Sequence, residues 1–237
     1  RLSVFVICGG VLTGLLRAHH VPVGIEELAF LLGVTGWAVV WGGLIWLIYM
    51  GLEPHVRRLW PRTLVSWTRL ISGRMSDPLV GRDVLVGALA SVAVLVVRLL
   101  VSHEPASNVM LTRALESLRS TRQFAGMLAF NTIDNLEFAL GALFFLLLLR
   151  RIVRNTWIAA AVLSVLFLQF STGGTWQASW GEAGYGLLYS LVGVTMLVQL
   201  GLLPVVTMGL VNRMLIAFPL TLDVNAWYFG SSAVILL

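Results

Sequence analysis

Long apolar runs separated by short polar segments dominate the pattern of this chain. A helix that crosses the hydrocarbon core of a bilayer needs about 20 apolar residues. The runs predict seven such helices, the last one incomplete, at residues 2–16, 28–50, 84–101, 124–149, 157–170, 185–211 and 227–237. Pro204 lies within the sixth run, and we expect it to kink that helix because proline cannot donate a backbone hydrogen bond.

Two of the connecting segments have helical periodicity of their own. In residues 62–75 the apolar side chains recur at helical spacing, namely Leu64, Trp67, Ile71 and Met75. Residues 108–122 repeat the pattern with Leu111, Ala114, Leu115 and Leu118. This pattern is typical of helices that lie in a membrane interface or pack on a partner. We therefore expect a cytoplasmic, Arg-rich interfacial segment at 51–83 and an amphipathic segment on the outer side at 102–123.

Composition points to lipid as the solvent for much of the chain. Hydrophobic residues make up 58% of the sequence and charged residues 11%, with a mean hydropathy of +0.91. Soluble domains carry about 25% charged residues. We expect an all-α fold, a polytopic transmembrane helical bundle of about seven spans, forming a single domain over residues 1–237. Because apolar runs reach both ends, we also expect the chain to be a fragment truncated at both ends.

The arginines give the predicted orientation, and every one of the 16 basic residues is Arg. The segments after spans two, four and six carry ten of them: Arg57, Arg58, Arg62, Arg69, Arg74, Arg82, Arg150, Arg151, Arg154 and Arg213. The opposite side carries four, Arg17, Arg113, Arg119 and Arg122. The excess of positive charge places the first set in the cytoplasm. There we expect Arg57, Arg58, Arg62, Arg69 and Arg74 to contact anionic lipid headgroups. Scattered arginines of this kind predict no nucleic-acid partner.

The fourth span opens with a polar group that includes Asn131, Asp134 and Glu137. Carboxylates inside a membrane are costly and therefore mark candidate sites. Arg98 ends the third span at the same predicted surface, so we expect an ion pair between Arg98 and Asp134 or Glu137. A polar binding cavity and a proton or ion pathway are the alternatives. Residues 139–149 contain no polar side chain, which disfavours a pathway.

Other candidate chemistry is sparse. The outer segments collect imidazoles and carboxylates that are possible zinc ligands, namely His19, His20, Glu26, Glu27, His103, Glu104 and Glu182. Their spacing is not that of a metal site, and a solvated polar rim explains them better. No nucleophile–base pair and no kinase signature occurs. We expect no catalytic residue, no metal and no cofactor in this chain.

Several short strings occur together in a characteristic order. They are HHVP at 19–22, LEPHVRR at 52–58 followed by WP at 60–61, SWTRL at 66–70, DPLVGRD at 77–83, FPLTLD at 218–223 and AWY at 226–228. This set resembles the membrane-embedded C-terminal region of bacterial serine/threonine protein kinases of the kind abundant in acidobacteria. The resemblance implies a cytoplasmic kinase domain upstream of residue 1, and it carries over no catalytic residue.

These observations predict a noncatalytic membrane-anchor and sensor domain of a bacterial serine/threonine kinase-like protein. Its expected location is the bacterial inner membrane, in multi-pass form. Its expected partners are the lipid bilayer, anionic headgroups and an upstream kinase domain of the same polypeptide. The alternative is a transporter or permease-like protein with a polar site around Asp134 and Glu137. An intramembrane enzyme is a third possibility, but it needs convergent histidines and carboxylates that the spans lack.

Overall fold

The computed structural model describes residues 2–18, 24–60, 63–101, 115–171 and 180–236. Within these ranges the chain is α-helical apart from turns and short irregular segments, and it contains no strand. The prediction of an all-α fold is therefore confirmed. The helices are α1 (Leu2–Arg17), α2 (Gly24–Leu59), α3 (Val65–Ile71), α4 (Pro78–Val101), α5 (Thr121–Val153), α6 (Thr156–Ser171), α7 (Trp180–Gln199), α8 (Leu202–Ala217) and α9 (Phe229–Leu236), with a helical turn at 115–118.

Polar residues define where two of these helices begin. The Asp77 carboxylate accepts the backbone N–H of Leu79 at 2.9 Å, and Pro78 occupies the first position of α4, where a missing N–H costs nothing. The Asn155 side chain accepts the N–H of Trp157 at 2.9 Å at the start of α6. Each cap satisfies a donor that the helix itself cannot pair.

Two helices are long and apolar enough to cross a membrane. They are residues 24–56 of α2 and residues 78–100 of α4, which cover the predicted second and third spans. Only 17% and 22% of their most apolar stretches are buried. Shorter apolar helices occur at Leu2–Arg17, Thr156–Leu168, Ala183–Gln199 and Leu202–Ala217.

The chain divides into two compact units. Unit 1 comprises Arg1–Leu47, Pro105–Leu136 and Arg213–Leu237, and unit 2 comprises Ile48–Glu104 and Glu137–Asn212. In unit 1, α1 packs closely on α2 because glycines face the larger side chains of the other helix. A Cβ at Gly14 would collide with Val34, and a Cβ at Gly42 would collide with Ile7.

Side chains from α5 close the C-terminal end of α1 within unit 1. Arg122 donates a hydrogen bond to the Ala18 carbonyl at 2.6 Å, and Gln123 donates to the Arg17 carbonyl at 3.5 Å. The Arg17 guanidinium in turn lies 4.7 Å from the ring centroid of Phe130. These cationic and amide donors satisfy carbonyls that have no partner within α1.

The predicted sixth span is wrong as a single kinked helix, because the chain reverses within it. Helix α7 ends at Gln199, and α8 begins at Leu202. The Tyr185 hydroxyl, near the start of α7, lies 2.9 Å from the amide nitrogen of Asn212, near the end of α8. The two helices therefore run antiparallel as a hairpin, which we call the α7–α8 hairpin.

The turn of this hairpin explains the reversal. Gly201 has φ = +113°, a conformation that side chains strongly disfavour, and its N–H donates to the Met196 carbonyl at 3.0 Å. The next residue, Leu202, donates its N–H to the Thr63 carbonyl at 3.0 Å. Pro204 then lies in the first turn of α8, where its missing N–H is not needed. Proline here starts a helix and does not kink one.

The predicted interfacial segment at 51–83 is built from several elements. Helix α2 continues through the backbone of Arg57 and Arg58, and α3 is shorter than the predicted periodic stretch. Trp67, on the apolar face of α3, is 5% exposed, and α3 packs against α4. Of the outer segment at 102–123, residues 102–114 lie outside the described ranges, and Leu115 is exposed.

Candidate functional site

The carboxylate of Asp134 on α5 forms an ion pair with Arg213 on α8. Asp134 Oδ2 lies 2.5 Å from Arg213 Nη1, and the two side chains are 41% and 30% exposed. The sequence had placed Arg98 opposite Asp134 and had placed Arg213 on the cytoplasmic side. For Asp134 that pairing is corrected: α8 reverses along α7, which carries Arg213 away from the turn. The prediction that Arg98 pairs with Glu137 stays a prediction.

Two buried amides accompany this ion pair on α5. Asn131 is 7% exposed, and its amide nitrogen donates to the Met127 carbonyl at 2.8 Å. Asn135 is 2% exposed. The Asn131 donor is thus satisfied by its own helix, as burial in an apolar surrounding requires. On α5, the half-exposed charge of Asp134 is more available for chemistry than either amide.

Arg98 of α4 lies against an aromatic ring in unit 2. Its guanidinium carbon is 4.7 Å from the ring centroid of Tyr185. The Tyr185 hydroxyl lies 3.1 Å from Asn212 Oδ1 and 2.9 Å from Asn212 Nδ2. A cation on a ring face is attracted by the quadrupole of the ring. Tyr185 therefore contacts the Arg98 cation through its ring and the Asn212 amide through its hydroxyl. The sequence reasoning missed this cluster because residues 98, 185 and 212 are too far apart for any local pattern.

A hydrophobic cluster adjoins these polar groups. Val94 of α4, Met196 of α7 and Met208 of α8 are buried together, with the ring of Tyr185 packed against them. A Cβ at Gly87 of α4 would collide with the Pro204 carbonyl, so α4 approaches α8 at backbone distance. The polar cluster of unit 2 is therefore held by tightly packed helices.

The arginines predicted to contact the inner surface have different surroundings. Arg69 is bound to the Asp77 carboxylate at 2.7 Å, whereas Arg74 is exposed. Arg62 and the side chains of Arg57 and Arg58 lie outside the described residues. Arg69 therefore stabilises the turn before α4, and of the two described side chains of this set Arg74 is the one available for contacts.

Arg150, at the end of α5, was not among the predicted contact residues. Its guanidinium carbon lies 4.4 Å from the ring centroid of Trp60, and its Nη1 is buried with no hydrogen-bond partner. Asp83 on α4 is 1% exposed and is bound through Oδ1 by Arg82 at 2.7 Å. The end of unit 2 that contains the α7–α8 turn thus contains several oriented guanidinium groups.

No group of three or more possible metal-binding side chains occurs in the part of the chain that the structure describes. His19, His20, His103 and Glu104, which the metal alternative invoked, lie outside that part, as does the side chain of Glu182. Neither a protein-family model, nor a curated protein, nor a solved structure matches this chain.

Proposed function

We propose that the chain is a noncatalytic helical domain of the bacterial inner membrane, which anchors a serine/threonine kinase-like protein and acts as its sensor. The membrane part of this proposal is supported by the outward-facing residues of α2 and α4. Leu32, Val40 and Leu47 of α2 are 66%, 63% and 61% exposed, and Leu85 and Leu89 of α4 are 64% and 68% exposed. Exposed apolar surface of this extent requires a partner, and lipid fits two helices of this length.

Because the α7–α8 hairpin supplies two helices where the sequence predicted one span, we propose eight crossings in place of seven. We propose α1, α2, α4, α5, α6, α7, α8 and α9 as the crossing helices, with α9 entering the bilayer at the end of the chain. Arg213 then leaves the set of ten cytoplasmic arginines, and nine remain. The positive charge still favours the end with α3 and the α7–α8 turn as the cytoplasmic one.

The pairing of polar side chains is the observation that carries the noncatalytic interpretation. Asp134 binds Arg213, and Tyr185 joins Arg98 to Asn212. Groups that hold helices together in this way are engaged with one another in the resting structure. A sensor needs such interhelical contacts, because a signal can act only by favouring one arrangement of them over another.

The test uses the natural full-length protein, reconstituted in lipid with and without this membrane domain. We expect ATP-dependent autophosphorylation in the full-length protein, and a changed rate when the eight helices are replaced by one unrelated transmembrane helix. The replacement preserves membrane attachment, so it separates sensing from anchoring. An unchanged rate would remove the sensor role, and the absence of an upstream kinase would remove the whole kinase assignment.

A transporter built around Asp134 and Glu137 is the second candidate function. The observation that favours it is the partial exposure of the Asp134–Arg213 pair, which a purely structural pair between apolar helices does not need. Purified chain in liposomes would be tested for proton and cation flux. Flux that disappears in Asp134→Asn but persists in Asp223→Asn would establish this function. Equal flux in the unmodified chain and in the two variants would exclude this function.

A further inference from the structure

Three separate segments meet at one end of unit 2. The Thr63 carbonyl accepts the N–H of Leu202, which joins the segment before α3 to the α7–α8 turn. The stacking of Arg150 on Trp60 joins the same segment to the end of α5. We call this end of unit 2 the arginine end. Its arginines are Arg74, Arg150, Arg151 and Arg154.

The arginine end has cationic side chains in excess of acidic ones. Between residues 60 and 83 the acidic residues are Asp77 and Asp83, and these are bound by Arg69 and Arg82. Between residues 138 and 181 the sequence contains no Asp or Glu. Arg74, Arg151 and Arg154 are exposed.

Exposed apolar side chains alternate with these arginines. Met75 is 72% exposed, Ile152 is 70% exposed and Trp157 is 56% exposed. Ile152 lies between Arg151 and Arg154 in the sequence. A surface made for water alone gains nothing from such side chains, whereas the boundary of a bilayer accommodates apolar groups beside cations.

Arg150 lies behind this surface, with its Nη1 atom buried. The Trp60 ring fixes the plane of its guanidinium, and Nη1 is left without a hydrogen-bond acceptor. A planar guanidinium matches the oxygen atoms of a phosphate group better than a flexible ammonium does. The guanidinium groups of Arg74, Arg151 and Arg154 are exposed and therefore accessible to such an anionic oxygen ligand.

We propose that the arginine end binds the phosphate groups of anionic phospholipids in the cytoplasmic leaflet. Arg151 and Arg154 contact the headgroup, while Ile152 and Trp157 enter the acyl boundary beside them. Arg150, whose Nη1 is buried, packs on Trp60 behind this surface and does not contact the headgroup. This inference rests on the proposed membrane location but not on the kinase assignment, so failure of the autophosphorylation test leaves it standing.

The test titrates the purified chain in neutral detergent with fluorescent phosphatidylglycerol and with phosphatidylcholine that carries the same label. We expect tighter binding of phosphatidylglycerol by the unmodified chain. A basic residue near an anionic surface contributes about 1 kcal/mol, roughly a five-fold change in affinity. The double variant Arg151→Gln/Arg154→Gln should therefore lose about 25-fold in phosphatidylglycerol binding and little in phosphatidylcholine binding.

Two further variants separate charge from folding. Arg119→Gln removes a charge from an exposed residue of unit 1 and should keep the preference for phosphatidylglycerol. Arg151→Lys/Arg154→Lys retains the charge and should restore part of the binding, because an ammonium group matches phosphate less well than a guanidinium does. Equal affinity for the two lipids, or a loss in Arg119→Gln as large as in the Arg151/Arg154 Gln pair, would overturn the proposal.

Competition with inorganic phosphate distinguishes a lipid from a soluble anion. Millimolar phosphate should displace little phosphatidylglycerol, because the apolar contacts of Ile152 and Trp157 act only on a lipid. Full displacement would identify a soluble-anion site and overturn the lipid assignment. A double Gln variant that binds both lipids normally but changes kinase autophosphorylation would reassign the surface to a protein contact, which also overturns it.

Discussion

The α7–α8 hairpin is held by different forces at its two ends. At the turn, the contacts are made by backbone: the positive φ of Gly201 and the hydrogen bond from Leu202 to the Thr63 carbonyl. At the open end, the contacts are made by side chains, with Tyr185 between Arg98 and Asn212. The turn is therefore sensitive to any added atom, and the open end is sensitive to the chemical identity of its groups.

The largest effect is expected at the turn. Gly201→Ala forces a side chain into a strained backbone conformation and against the Thr63 carbonyl. The free energy of unfolding in mixed micelles should fall by about 2–3 kcal/mol. Gly193→Ala is the matched control, because Gly193 lies in α7 with open space around its Cα. That control should be neutral or slightly stabilising. Equal losses in both variants would contradict the role given to the turn.

A smaller effect is expected at Arg213, the residue that follows Asn212 at the open end. Asp134→Leu leaves the guanidinium without its carboxylate and should lower the free energy of unfolding by about 1–2 kcal/mol, since the pair is neither fully exposed nor fully buried. The double variant Asp134→Leu/Arg213→Met should recover most of the loss. A double variant as unstable as the sum of the two single variants would show that the pair does not couple these helices.

The smallest effect is expected at Tyr185. Tyr185→Phe removes the hydroxyl and leaves the Asn212 amide without this partner, at a cost of about 1 kcal/mol. Asn212→Leu should cost about the same. The double variant Tyr185→Phe/Asn212→Leu should be no worse than either single variant, because both polar groups are removed together. The free energies of unfolding are measured by thermal or chemical unfolding. If the losses of the two single variants simply add up in the double variant, the two side chains do not interact directly.

Composition and run length predicted the helical fold and the two helices that are long and apolar enough to cross a membrane, α2 and α4. The same signals could not distinguish a kinked helix from a hairpin in residues 185–211. Gln199 is the single polar residue at that turn, where the Thr63 carbonyl supplies the acceptor that solvent would otherwise provide. The available signal was Gly201 followed by Pro204, a stop and a start for helices.

The candidate site was predicted in part. Asp134 was singled out as a charge that needs a partner, and its partner Arg213 could be found only after the hairpin was known. The Arg150–Trp60 contact joins residues 90 positions apart and has no local signature. Long-range contacts between helices depend on how the helices are arranged, which hydrophobic periodicity does not specify.

The closure of α1 by α5 has a consequence for the order of assembly. Arg122 reaches the Ala18 carbonyl across 104 residues of chain. At synthesis rates of about 5–20 residues per second, the end of α1 waits roughly 5–20 s before its donors have been made. During that interval water or lipid headgroups must donate hydrogen bonds to the carbonyls of Arg17 and Ala18. The completion of unit 1 is therefore a late event, and a ribosome that stalls between residues 18 and 122 leaves α1 translated but its end uncapped.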